Sequence, residues 1–255
     1  MQLKKGQNSR AFREPTKTAR LDAWYRKRLK EIAKQVGIIA QEFDEEMDPM
    51  AAAQLVQQRL FSYSDSIASW ARDVANVMLK RADQADYDTW LRVGKDISSE
   101  TKQRLNSPSI GREFDRMQSE QINLIQSIPQ VAAEKVQDWV KAGLSEGKRP
   151  IEIANRIQND LAGVTESRAV CIARTETARA RTNFTRARAM AVGSTGYIWR
   201  TVGDGAVRKT HAKLNGTVQR WDSPPLVEKG IRAHPGTIWN CRCYASPIFP
   251  KENEK

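Results

Sequence analysis

The 255-residue chain holds two histidines and three cysteines, and four of these five residues fall between positions 211 and 243: His211, His234, Cys241 and Cys243. Two imidazoles and two thiols are the donor set of a tetrahedral zinc site, with the donor pairs separated by a loop as small zinc modules require. Four protein ligands leave no open position for an activating water, so such a zinc holds a fold together rather than performing chemistry. Cys-x-Cys is a less diagnostic spacing than Cys-x-x-Cys and needs a turn to bring both sulfurs to one metal, which Pro235-Gly236 and Asn240 permit. Without metal, the same residues read as reduced structural thiols and hydrogen-bonded histidines. A Cys241–Cys243 disulfide is disfavoured in a reducing cytoplasm, and Cys171, among apolar helical residues, reads as a small core side chain.

Other catalytic arrangements are weaker. No Gly-x-Ser-x-Gly elbow accompanies either histidine, which argues against a hydrolase triad. Gly203-Asp-Gly-Ala-Val-Arg-Lys-Thr210 approaches a phosphate loop, but Arg208 replaces the second glycine and would obstruct the backbone cradle. With no complete constellation the chain reads as a non-enzyme; the alternative is a metal-dependent nuclease or effector using Glu176, Asp204 or Asp222 with a histidine.

Charge gives a second handle. The net charge of +12 points to a polyanionic partner. Residues 1–30 carry +8, residues 31–100 carry −6, and residues 101–192 and 193–255 carry +5 each, so basic ends flank an acidic segment. The candidate nucleic-acid contacts are Lys4, Lys5, Arg10 and Arg13 near the amino terminus, with Arg174, Arg179, Arg181, Arg186 and Arg188 on a helix between Thr165 and Val192. An arginine-rich helix either lies along phosphate or pairs with acidic neighbours. No recognition motif predicts preference for a base sequence.

These residues are positioned by two kinds of chain. From Thr18 to Gly163 apolar residues recur at three- and four-residue spacing, as in Leu21, Trp24, Tyr25, Leu29 and Ile32, predicting a mainly helical part. Asp48-Pro49 opens one helix, Pro129 is expected to break another, and Gly163 to end the one that Pro150 begins. After Gly193 the chain turns to strand and loop: Tyr197–Val202 reads as a strand, and Asn215-Gly216 as a type I′ hairpin turn with Thr217–Trp221 leaving it. The fold class expected is α+β, with a basic segment at 1–30, a helical region at 31–145 and a small α+β domain at 146–250, joined near Gly143–Arg149. No run approaches the ~20 apolar residues of a membrane span, and no secretory signal is legible, so a chain made in a cytoplasm is expected.

The run from Gly147 to Phe249 resembles the Mu F-like head morphogenesis domain of tailed bacteriophages. The residues that carry the resemblance are Pro150-Ile-Glu-Ile-Ala, Ala173-Arg-Thr-Glu-Thr-Ala-Arg179, Trp199, Asp204, Val207-Arg-Lys-Thr-His211 and Leu214-Asn-Gly216, closing with His234-Pro-Gly and Cys241-Arg-Cys243. Many members carry Cys-x-x-Cys where this chain has Arg208-Lys-Thr-His211, so only the second position offers a metal ligand here. The resemblance implies a minor head protein of the virion, made in the host cytoplasm and incorporated in few copies during procapsid assembly. The partners it implies are the portal protein, capsid or scaffolding protein and the packaged double-stranded DNA, with no membrane.

Overall fold

The computed structural model describes residues 15–93 and 99–248. Lys4, Lys5, Arg10 and Arg13 lie outside the described residues. Six helices come first among those described: α1 (Pro15–Ala40), α2 (Pro49–Ser66), α3 (Ala68–Val93), α4 (Ser99–Leu105), α5 (Pro108–Ser145) and α6 (Pro150–Ala191). There follow β1 (Gly196–Arg200), α7 (Lys209–Leu214), β2 (Val218–Arg220), β3 (Leu226–Glu228), β4 (Ile231–Arg232) and β5 (Tyr244–Ile248), so the fold is α+β. The local signals act as expected at α2, where the Asp48 side chain accepts the Ala51 N–H at 3.0 Å and Pro49 opens the helix.

Two expected helix breaks are absent. Pro129 lies inside α5, flanked by the buried Ile125, Ile128, Ala132, Ala133 and Val136. Burial of that stripe outweighs the roughly 3 kcal/mol that an interior proline costs. Gly163 lies inside α6; the buried Ile157 and Leu161 before it and Thr165 and Ala169 after it keep one continuous face, which offsets a glycine penalty of about 1 kcal/mol. The Asn215-Gly216 turn also differs in type. Asn215 has φ −58° and ψ 126° and Gly216 has φ 82°, the signature of a type II turn, with the Thr217 N–H bonded to the Leu214 carbonyl at 3.0 Å. The segment before it is helix α7 rather than a strand, so the turn joins a helix to β2.

The chain packs into two compact units that do not follow linear boundaries at 30 and 145. One unit contains Val77–Met117 and Arg174–Lys255 together with the chain up to Asp22; the other contains Ala23–Asn76 and Gln118–Ala173. Helices α1, α3, α5 and α6 each contribute to both, which is why a single cut along the sequence separates neither. The expected joint at Gly143–Arg149 is instead an internal corner of the second unit. There a Cβ on Gly143 would sit 2.7 Å from Cγ1 of Ile153, so only glycine lets α5 and α6 approach this closely. That unit buries Tyr25, Leu29, Ile32, Val56, Leu60, Ile128 and Val136, and the Tyr25 hydroxyl donates to Oε1 of Gln121 at 2.9 Å.

The first unit carries the sheets. Strands run β2-β1-β5, all antiparallel, with Trp199 opposite Ala245 and Arg200 opposite Tyr244, and β3 pairs with β4. Alternation puts Tyr197 and Trp199 on one buried face. They join Trp90, Val93, Leu105, Trp221, Cys241 and Cys243 in one apolar cluster.

Candidate metal centre

The end of β1 organises the site. Helix α7 begins nine residues after β1 ends and carries His211, which is 2% exposed. The chain re-enters the sheet at Tyr244, paired with Arg200, so Cys241 and Cys243 arrive immediately beside the same end of β1. A sharp local path makes this possible. Asn240 adopts φ 56° and Gly236 φ 80°, the Cys241 N–H bonds back to the Ile238 carbonyl at 3.1 Å, and the Asn240 N–H is held by Oγ1 of Thr175 on α6 at 3.1 Å. The turn anticipated around Pro235-Gly236 and Asn240 is therefore the one that brings the two cysteines together.

Nδ1 of His211 lies 3.4 Å from the Cys241 sulfur and 3.6 Å from the Cys243 sulfur. Trp199 meets the imidazole edge-on, with ring centroids 5.4 Å apart. The remaining ring nitrogen, Nε2, is buried without a hydrogen-bond partner. The Gly236 N–H donates to the Cys241 sulfur at 3.3 Å. A hydrogen bond from Cys243 pulls the Cys241 thiol down against the upward push of burial, with help from that Gly236 N–H and from His211. Cys243, as the donor in that bond and itself buried, is pushed up.

His234 does not join them. Its Nδ1 shares a 2.9 Å hydrogen bond with the Tyr197 hydroxyl, and its ring packs against both Tyr197 and Trp221 at centroid distances of 5.5 and 5.8 Å. Burial, followed by the nearby Arg186 charge, lowers its pKa to about 4 against a hydrogen bond to the Trp221 backbone. His234 is committed to the aromatic core, so the expected four-residue convergence is corrected to three: among the described residues, the one group of three metal-donor side chains is His211, Cys241 and Cys243. The acidic residues considered for a nuclease are bound elsewhere, Asp204 by Arg242 at 2.7 Å, Asp222 by Arg220 and Glu176 by Arg179 at 3.7 Å.

Of the α6 arginines, Arg188 is turned inward. Arg188 is 1% exposed; Nη1 donates to Asp86 at 2.8 Å, Nη2 pairs with Asp83, and Nε donates to the Leu105 carbonyl at 3.1 Å. Its assignment to nucleic acid is corrected by that burial. Arg179 is half-buried on Glu176. Arg181 lines a cavity of about 440 Å³ shared with Thr177, Thr182, Arg242 and Tyr244; Arg174, which borders the same cavity, is exposed. Arg186 is half-buried, its charge acting on Tyr197 and His234. Sequence reasoning placed Gly236 in the turn but not its N–H on a sulfur, and nothing in the spacing signalled that Tyr197 claims His234.

A short helix and a Cys-x-Cys turn thus converge on the end of a three-stranded antiparallel sheet that follows a long helix. Residues 134–246, from the end of α5 into β5, match the family model described as Phage Mu protein F like protein. Along 99% of its length the chain is 29% identical to an uncharacterized protein of Haemophilus influenzae, 59% of which the alignment covers. The chain therefore spans about three fifths of the length of that relative. No solved structure matches.

Proposed function

We propose that the chain is a minor head protein of a tailed bacteriophage, acting in procapsid assembly at the portal and contacting packaged DNA without sequence preference. The observation that carries the reading is the Mu F-like match over residues 134–246. Supporting it, no helix of the described residues is long and apolar enough to cross a membrane. The net charge of +12 suits a protein that meets packaged DNA. With Arg188 internal and its neighbours on α6 partly engaged, the DNA contact is assigned chiefly to the basic residues Lys4, Lys5, Arg10 and Arg13 and to Arg174.

Deleting the gene from its phage tests the assembly role: the account expects defective or unstable heads and co-sedimentation of the wild-type protein with portal-containing procapsids. Normal heads in normal yield from the deletion would overturn it. DNA contact is read by filter binding. Affinity for any duplex should fall steeply between low and moderate salt as counterions are released, by about tenfold or more for several phosphates, whereas salt-independent binding would contradict a charge-driven contact.

A further inference from the structure

We propose that His211, Cys241 and Cys243 hold one thiophilic divalent metal, zinc in the cell, through three protein ligands, with the fourth coordination position facing a small pocket and filled by solvent. The distances carry the geometry. Zinc–sulfur bonds of about 2.3 Å and zinc–nitrogen bonds of about 2.0–2.1 Å give tetrahedral nitrogen–sulfur edges of about 3.6 Å. Nδ1 lies 3.4 and 3.6 Å from the two sulfurs, and all three donor atoms fall within 4.8 Å of one another. In either tautomer Nδ1 has a single lone pair or a single proton to share between two sulfurs, whereas one metal takes all three donors. The three atoms form one face of a tetrahedron.

The surroundings suit a dithiolate metal. Two thiolates neutralise a divalent cation, the Gly236 N–H already donates to one sulfur, and Arg208 borders the same pocket. Arg208 is itself fixed, donating to the Trp239 carbonyl at 2.8 Å and pairing with Glu228 at 3.1 Å. Supporting contacts of this kind orient ligands and set their basicity. Bordering the three donors, with Val202, Val207 and Asn240, is a cavity of about 20 Å³. That is room for about one water and too little for a fourth side chain. Since His234 is committed to Tyr197 and Trp221, the chain offers no further donor there among the described residues. The site thus differs from a closed four-ligand zinc: it fastens α7 to the turn before β5 while keeping one exchangeable position.

Metal content of the full chain, purified under reducing conditions, tests this independently of any role in a phage head. The wild type should carry one zinc per chain and take up one cobalt(II) in its place, with the intense visible absorption of a tetrahedral thiolate complex. Azide added to the cobalt form should shift that absorption by replacing solvent. His211→Asn and the Cys241→Ser, Cys243→Ser pair should reduce occupancy at least tenfold, and His234→Gln should keep one metal per chain. Should these variants fail to fold, the wild-type cobalt spectrum with and without azide decides alone. Three results overturn the proposal: no uptake of zinc or cobalt by the reduced protein, a Cys241–Cys243 disulfide in freshly purified protein, or a cobalt spectrum indifferent to azide.

Discussion

Replacing Arg188 by methionine removes a guanidinium from a place it cannot leave cheaply. The side chain is 1% exposed, its partner Asp86 is equally buried, and Asp86 also accepts from Oγ1 of Thr185. Burial already raises the Asp86 pKa, with Arg188 the first influence opposing it. Methionine fills much of the volume but leaves the Asp86 charge and the Leu105 carbonyl without their donor. Breaking one side of a buried pair costs about 3–5 kcal/mol, which for a chain of this size lowers the melting midpoint by roughly 6–20 °C. The pH dependence has a definite sign. With its cation gone, the folded-state pKa of Asp86 rises further above the unfolded value, so the deficit is smallest in acid, where Asp86 is protonated, and grows as pH rises through that pKa. Adding Asp86→Leu to Arg188→Met should recover most of the loss, since an apolar pair replaces an ion pair of similar volume. Calorimetry of the three proteins at pH 5 and pH 8, with DNA binding in parallel, is the assay. A loss below about 1 kcal/mol at pH 8, or a loss of DNA affinity with an unchanged midpoint, would refute the reasoning and return Arg188 to the surface.

His234 should make stability fall in mild acid: its folded pKa of about 4 lies below the unfolded value near 6.5, so its contribution is complete above that value and is lost as pH drops. Between pH 7.5 and 5 the loss is about 1–2 kcal/mol, allowing for partial solvent access, and His234→Gln should flatten the denaturant-midpoint profile there. Gly236→Ala should lower the melting midpoint by several degrees, because its φ is 80° and a Cβ would meet the Cys243 carbonyl and Oγ1 of Thr182 at 3.0 Å; an unchanged midpoint would show that the turn is not constrained. Limited proteolysis should nick the exposed corner at 146–149, where Gly147 has φ 70°, and the two fragments should stay together under native conditions because α5 and α6 pack within one unit. Fragments that separate on gel filtration would restore a linear domain boundary there.

The donor trio was legible because its constraint is local: a Cys-x-Cys preceded by residues that tolerate positive φ already specifies a turn, and Asn240 and Gly236 provide it. Which histidine completes the trio was not, since that depends on Tyr197 from a neighbouring strand capturing His234. Arg188 carried a readable signal. Ala173, Thr177, Ala180, Phe184 and Arg188 follow three- and four-residue spacing and all are buried, so periodicity puts the arginine on the inner face. Its acidic partners lie in the segment that carries −6, but their positions about a hundred residues away follow only from packing. Breaks at Pro129 and Gly163 were expected from local propensity and are overridden by burial on both sides.

The most direct test of the central claim is quantitative mass spectrometry of purified particles of the phage that encodes this chain. A minor head protein should be present in each filled head at a few to a few tens of copies, far fewer than the major capsid subunit, and should remain after external proteins are stripped. Its absence from both procapsids and filled heads, with assembly undisturbed, would contradict the account.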